Sequence, residues 1–321
     1  MRREALKGRA GVRTRRQVMA AAAGACLLAA GFSAPDPAAA QERPPAKLKV
    51  IASFSILGDL VKNVGGDRLE VATLVGANGN AHVYEPSPAN AKKVADAAVV
   101  FVNGLGFEGW LDRLVKASGT KAAIIVATKG IEPLARPGVH DHGRSDPHAW
   151  QSIANARIYV ENIRDALIAI DPAGKADYET NAAAYLAKLD ALDRDVRDTI
   201  ARIPAERRRV VTSHDAFGYF ESAYGIHFTA PQGVSTDAEA SARDVAAIIS
   251  AIRQQKAAAV FVENVTDPRL ARQIASETGA KVGGVLYSDA LTDATGDATT
   301  YIDLIRHNVG QLASALTARA G

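Results

Sequence analysis

The 321-residue chain has one cysteine, Cys26, and it lies near the amino terminus. It falls inside an apolar run, residues 18–32, behind a basic stretch that ends at Arg15-Arg16. With the small residues Ala38-Ala39-Ala40 after it, this arrangement reads as a signal peptide over residues 1–40, cleaved before Gln41. The cysteine leaves with the peptide. The mature chain then has no thiol, forms no disulfide, and offers a metal only nitrogen and oxygen ligands. A lipid anchor on Cys26 is the lesser alternative. Ala23 stands where that signal wants a Leu-like residue, and Leu27-Leu28 continue the apolar core.

Long apolar segments are also lacking. The run at residues 18–32 falls short of the roughly 20 apolar residues that span a bilayer. A basic excess is lacking too. The signal segment holds seven of the 38 basic residues but only two of the 35 acidic ones, so the remainder is slightly acidic. Nucleic-acid binding, which wants a basic face on the folded part, is excluded. The run Thr14-Arg15-Arg16-Gln17-Val18-Met19 fits a twin-arginine export signal in part, with Val18 where Phe is usual. A general secretory signal with a long basic head fits equally. Either route places the mature chain in the periplasm.

What remains is an ordinary globular balance, 48% hydrophobic and 23% charged, with length for about two lobes. Short β-prone runs alternate with helical spacings: residues 48–52, then 56–64, then 70–75. Ser87-Pro88 is a helix start, a hydroxyl cap followed by proline in the first turn. The continuous apolar runs 97–102 and 122–127 suit strands buried on both faces. Residues 177–203 contain neither Pro nor Gly, and Tyr185, Leu189, Leu192, Val196, Ile200 and Ile203 step by three or four. A helix of that length spans about 40 Å and can act as a strut between lobes. The alternation then resumes. Strand-like runs at 209–212, 257–263 and 282–287 are separated by helix-like runs at 214–224, 241–255 and 268–278, and a last helix covers 299–317. The reading is α/β, two lobes with mainly parallel sheets flanked by helices and joined by one long linker helix. Its divisions are 41–172, 173–204 and 205–321.

Three of the seven histidines share a context. His82 stands in a loop after a strand-like run, within Asn78-Gly79-Asn80-Ala81-His82-Val83-Tyr84-Glu85-Pro86. His148 opens a helix in Asp146-Pro147-His148-Ala149-Trp150, and His214 follows a strand in Thr212-Ser213-His214-Asp215-Ala216-Phe217. Asp289, in Leu286-Tyr287-Ser288-Asp289-Ala290, has the same strand-end placement. Ligand-binding groups collect at strand ends in α/β sheets. Three imidazoles and one carboxylate complete a four-coordinate shell for zinc. The spacing is not a local zinc signature, however, and each histidine alone could cap a helix or satisfy a local hydrogen bond.

In combination these motifs resemble the periplasmic metal-binding proteins of zinc and manganese ABC transporters, the group called cluster A-I. The resemblance runs from Leu48 to the carboxyl end. It also rests on Gly218-Tyr219-Phe220, Ser235-Thr236 with Glu239, and Thr300-Tyr301. It implies metal ligands at His82, His148, His214 and Asp289, held in a cleft between the lobes. It further implies delivery to an ABC permease in the inner membrane and no enzymatic activity. A monomer is expected. Two departures stand out. Relatives often continue the second motif with Leu-Asp-Pro, where this chain has Gln151-Ser152-Ile153, and Glu239-Ala240-Ser241 lacks a usual proline.

Histidine rather than glutamate at position 214 favours zinc on ligand softness. The short His140-Asp141-His142 loop is a weaker pointer, either a zinc collector or a solvated loop. Asp289 is compatible with Mn2+, which stays the alternative cargo. A secreted zinc hydrolase is the rival from another class, with Glu85 as its conceivable general base. Four protein ligands argue against it, because catalytic zinc keeps a position for water. His227 and His307 read as structural. Glu263, at a strand end, reads either as a surface residue or as the orienting partner of a ligand histidine.

Overall fold

The computed structural model describes residues 46–135, 145–255 and 257–317. The signal segment, with Cys26 and the arginine pair, lies outside them, as do His140 and His142. Among the described residues no helix is long and apolar enough to cross a membrane.

The first lobe carries β1 (Leu48–Phe54), β2 (Leu69–Val75), β3 (Val99–Val102) and β4 (Ala123–Val126). They pair in parallel in the order β2-β1-β3-β4, with Val50 opposite both Val71 and Val99. Parallel strands need crossovers, which the intervening helices supply: α1 (Ser55–Gly65), α2 (Pro88–Ala95) and α3 (Leu111–Ser118). Ser87 caps α2 reciprocally. Its hydroxyl accepts from the Asn90 N–H at 3.4 Å while its own N–H donates to Asn90 Oδ1 at 2.8 Å. β3 is fully buried, as its apolar run requires. β4 has a similar run but is the edge strand and stays partly exposed.

Two long helices follow, α4 (Ile153–Ile170) and α5 (Lys175–Ala201). The 27 residues of α5 span about 40 Å. Its buried residues, Tyr178, Ala182, Tyr185, Leu189, Leu192, Val196 and Ile200, lie on one face through steps of three and four. That face packs on α1 and α4 of the first lobe and on the last helix of the chain.

The second lobe repeats the plan with β5 (Arg209–Val211), β6 (His227–Thr229), β7 (Ala259–Glu263) and β8 (Lys281–Leu286), parallel in the order β6-β5-β7-β8. Its helices are α6 (Gly218–Tyr224), α7 (Ala242–Gln255), α8 (Pro268–Thr278) and α9 (Tyr301–Thr317). The architecture is thus α/β with two parallel four-stranded sheets and a long helix between them. The helix expected from His214 starts four residues later. Asp215 N–H donates to Gly233 O, and a parallel bridge joins His214 to Gln232, so the backbone there stays extended. The main buried cluster runs through the first sheet, α4, α5, α9 and β5, which makes one core across both lobes.

Candidate metal centre

In open parallel sheets ligands gather beyond the carboxyl ends of the strands, most of all where the strand order reverses. The order β6-β5-β7-β8 reverses between β5 and β7. His214 follows β5 and Glu263 ends β7. Asp289 follows β8 on the same edge of the sheet. From the other lobe, His82 comes from the loop after β2, and His148 from the segment just before a short 3-10 turn, Ala149–Gln151, that leads into α4.

The structure brings all four together. One donor atom from each lies within 4.8 Å of the others. Nε2 of His82 is 3.2 Å from Nε2 of His148 and 3.4 Å from Asp289 Oδ2. Asp289 Oδ1 is 3.6 Å from His148 Nε2, and its Oδ2 is 3.3 Å from His214 Nε2. A four-coordinate ion bonded at about 2.0–2.1 Å holds its donors about 3.3 Å apart, so these separations fit one small cation. The burial points the same way. His148, His214 and Asp289 have no exposed surface, and both Asp289 oxygens and His214 Nε2 are buried without a hydrogen-bond partner. Orphaned buried donors of this kind carry a large desolvation cost unless a cation satisfies them.

Charge is distributed accordingly. Burial opposes ionisation of Asp289, but the His214 and His148 imidazoles outweigh it and hold the carboxyl well below the usual carboxylate range. Burial likewise opposes charge on His214, and there Glu263 and Asp289 prevail and raise it well above an ordinary histidine. His82 is lowered, chiefly by burial.

The inner ring nitrogens are fixed from behind. His148 Nδ1 is 2.7 Å from Asp146 Oδ1, which also accepts the His148 backbone N–H at 2.8 Å. His214 Nδ1 is 2.6 Å from Glu263 Oε2. Carboxylates in this position set the tautomer and aim Nε2 at the metal. Glu263 is therefore buried against His214 rather than on the surface. The role of Asp146 went unread, although its spacing two residues before His148 is that of a side chain closing on a backbone N–H. Asn103 was also unread. At the reversal point of the first sheet, its Nδ2 donates to Pro147 O at 2.9 Å and steadies the His148 turn. His82 is placed by its own N–H donating to Asn80 Oδ1 at 3.0 Å and by the edge of Phe107.

Of the four clustered residues, His82 is the one that meets a cavity, of about 250 Å³, lined with Leu105, Gly106, Pro147, Val234 and Ser235. Glu85 is exposed and lines a separate groove with Trp110 and Arg113, away from the cluster. His227 and His307 stand apart. His227 faces Glu221 at 3.1 Å, and His307 bridges Val285 O and Asp297 at 2.9 Å each.

The family described as "Zinc-uptake complex component A periplasmic" matches residues 50–315. The chain belongs to that family. It is a metal-binding substrate-binding protein of an ABC importer, a transport protein rather than an enzyme, and its cargo is a divalent metal. It is similar to the iron-binding protein YfeA of Yersinia pestis, at 37% identity over 83% of this chain and 86% of the relative. The manganese-binding lipoprotein MntA of Halalkalibacterium halodurans is 34% identical over 91% and 95%. Among solved structures, the Mn-bound periplasmic metal binding protein of Candidatus Liberibacter asiaticus superposes with a TM-score of 0.77 at 34% identity, covering 84% of this chain and all of that one. The periplasmic zinc binding protein TroA of Treponema pallidum does so with 0.80 at 28% identity, over 85% and 100%.

Proposed function

We propose that His82, His148, His214 and Asp289 hold one Zn2+ between the lobes and that the chain delivers it to a membrane permease and its ATPase. The observation that carries this reading is the convergence of three imidazoles and one carboxylate, one donor atom from each within 4.8 Å of the others, with both Asp289 oxygens and His214 Nε2 left without a hydrogen-bond partner. Three nitrogens and one oxygen suit zinc better than manganese, which prefers more oxygen donors. The cluster contains no thiolate and no free general base, in keeping with reversible carriage. Export by the signal segment and action as a monomer complete the proposal. In it His140 and His142 collect zinc loosely and pass it inward.

Manganese is the second reading. It is favoured by manganese-binding relatives such as MntA and by the Mn-bound structure of the Liberibacter protein. The metal carried by protein purified from cells supplied with both separates the two, and competition in solution tests the zinc reading alone, because zinc displaces manganese from most nitrogen and oxygen sites. Purified protein loaded with one equivalent of manganese is titrated with zinc. Zinc cargo predicts displacement at stoichiometric zinc, whereas retention of manganese under tenfold zinc would defeat it.

A further inference from the structure

We propose that Gln151 is a positioning residue for metal retention, acting through the peptide that carries Asp289. The inference rests on the reading that His148 and Asp289 are metal ligands.

The contacts are few and buried. Gln151 belongs to the same tight turn as His148, since its backbone N–H donates to His148 O at 3.1 Å. Its side-chain Nε2 donates to the carbonyl of Ser288 at 2.9 Å. Trp150 Nε1 donates to that same carbonyl, also at 2.9 Å. Both lone pairs of one carbonyl oxygen are thus filled from the opposite lobe. Ser288 immediately precedes Asp289. The turn that presents His148 and the loop that presents Asp289 are therefore tied at a point one residue from the carboxylate. A return tie exists as well, because Tyr301 of α9 donates its hydroxyl to Trp150 O at 2.7 Å.

Gln151 is an expensive choice for mere packing. It has no exposed surface, and its Oε1 is buried without a hydrogen-bond partner. A buried amide with its oxygen unpaired stabilises a core less than an apolar side chain of equal size would. Its useful contribution is the donor on Ser288 O. Without it the Ser288 carbonyl keeps only the indole, between Tyr287 tied to Asn308 and Ala290 tied to Asn264, and the peptide between those anchors can tilt. The Asp289 carboxylate then drifts from the position that faces three imidazoles. Placement of a ligand by its neighbours commonly governs how tightly a metal is held.

The test uses the full mature chain carrying Gln151→Leu, with Gln151→Met as a second, unbranched replacement in case the first folds poorly. Zinc release is timed by stopped flow into excess chelator, and thermal melting is recorded without metal. The expected result is release about five- to tenfold faster, the loss of roughly one hydrogen bond, with metal-free melting unchanged or raised. Unchanged release would overturn the proposal. So would a drop in metal-free melting with no change in release, since that is a packing role alone. Asp289→Ala is run beside it. If that variant loses zinc while Gln151→Leu releases normally, the positioning role fails and the ligand assignment stands. If Asp289→Ala binds zinc normally, both fall.

Discussion

Glu263 meets His214 through both of its oxygens: Oε2 lies 2.6 Å from the ring Nδ1, and Oε1 accepts the His214 backbone N–H at 2.9 Å. A third contact, from Ser213 N–H at 2.7 Å, fixes the carboxylate in turn. The histidine is therefore held at ring and backbone by one buried anion. Glu263→Gln keeps the shape but removes the charge that selects the tautomer. Zinc affinity should fall about 10- to 100-fold, measured by chelator competition, with the circular dichroism of the protein retained. Equal affinity in the two proteins would mean that Glu263 does not orient the ligand.

Metal removal should leave the chain folded. The main core runs through both sheets, α4, α5 and α9, and meets the four-residue cluster only along one side, at Phe107 and Trp150. Chelated protein should keep its secondary structure and melt cooperatively. Its melting temperature should rise with free zinc as mass action requires, by the equivalent of about 2.7 kcal/mol at a hundredfold excess over Kd. Cooperative unfolding on chelation would instead make the metal a structural one.

Acid stability should have a contribution far from the site. Asp171 accepts the Tyr178 hydroxyl at 2.7 Å and pairs with Arg68 at 2.9 Å. The Tyr178 hydrogen bond first, and Arg68 next, hold its carboxyl below the ordinary value of 3.8. The folded value is thus the lower one. The stabilisation is complete above that ordinary value and is lost as pH falls through the folded one. Asp171→Asn should cost about 1 kcal/mol at neutral pH, discounted for partial exposure. The gap from the unsubstituted protein should close below about pH 3 in denaturant titrations. A gap of constant size down to that pH would show that charge plays no part.

The strut can be weakened without touching the ligands. Leu189 is fully buried midway along α5. Leu189→Ala should destabilise by about 2–5 kcal/mol through lost burial and the cavity it leaves. Zinc affinity measured well below the melting temperature should hardly change. A large loss of affinity at unchanged stability would contradict the separation of core from site.

Much of this was legible in the chain itself. Alternating β and helical periods, and the uninterrupted helical face from Tyr185 to Ile200, already define two parallel lobes and a strut. The four clustered residues were legible because their motifs together resemble a family, with His82, His214 and Asp289 in segments after strands and His148 at a helix entry. Other features were not. β6 is three residues long and too short to show a period, and β4 looks buried because an apolar run does not say whether a strand is central or at an edge. The start of α6 is delayed by pairing with a distant segment at Gln232. The Trp150 and Gln151 bonds to Ser288 join residues more than 130 positions apart, which no local pattern reports. Asp146 stands within the His148 motif, but its contact with the ring depends on a side-chain rotamer that no sequence pattern reports.

X-ray absorption at the zinc edge, on protein carrying one equivalent of zinc, tests the central claim most directly. The account predicts four nitrogen or oxygen neighbours at about 2.0 Å, with the outer-shell scattering of three imidazoles, and loss of one imidazole in His214→Ala. A shell with one imidazole or none, or a spectrum unchanged by that substitution, would contradict it.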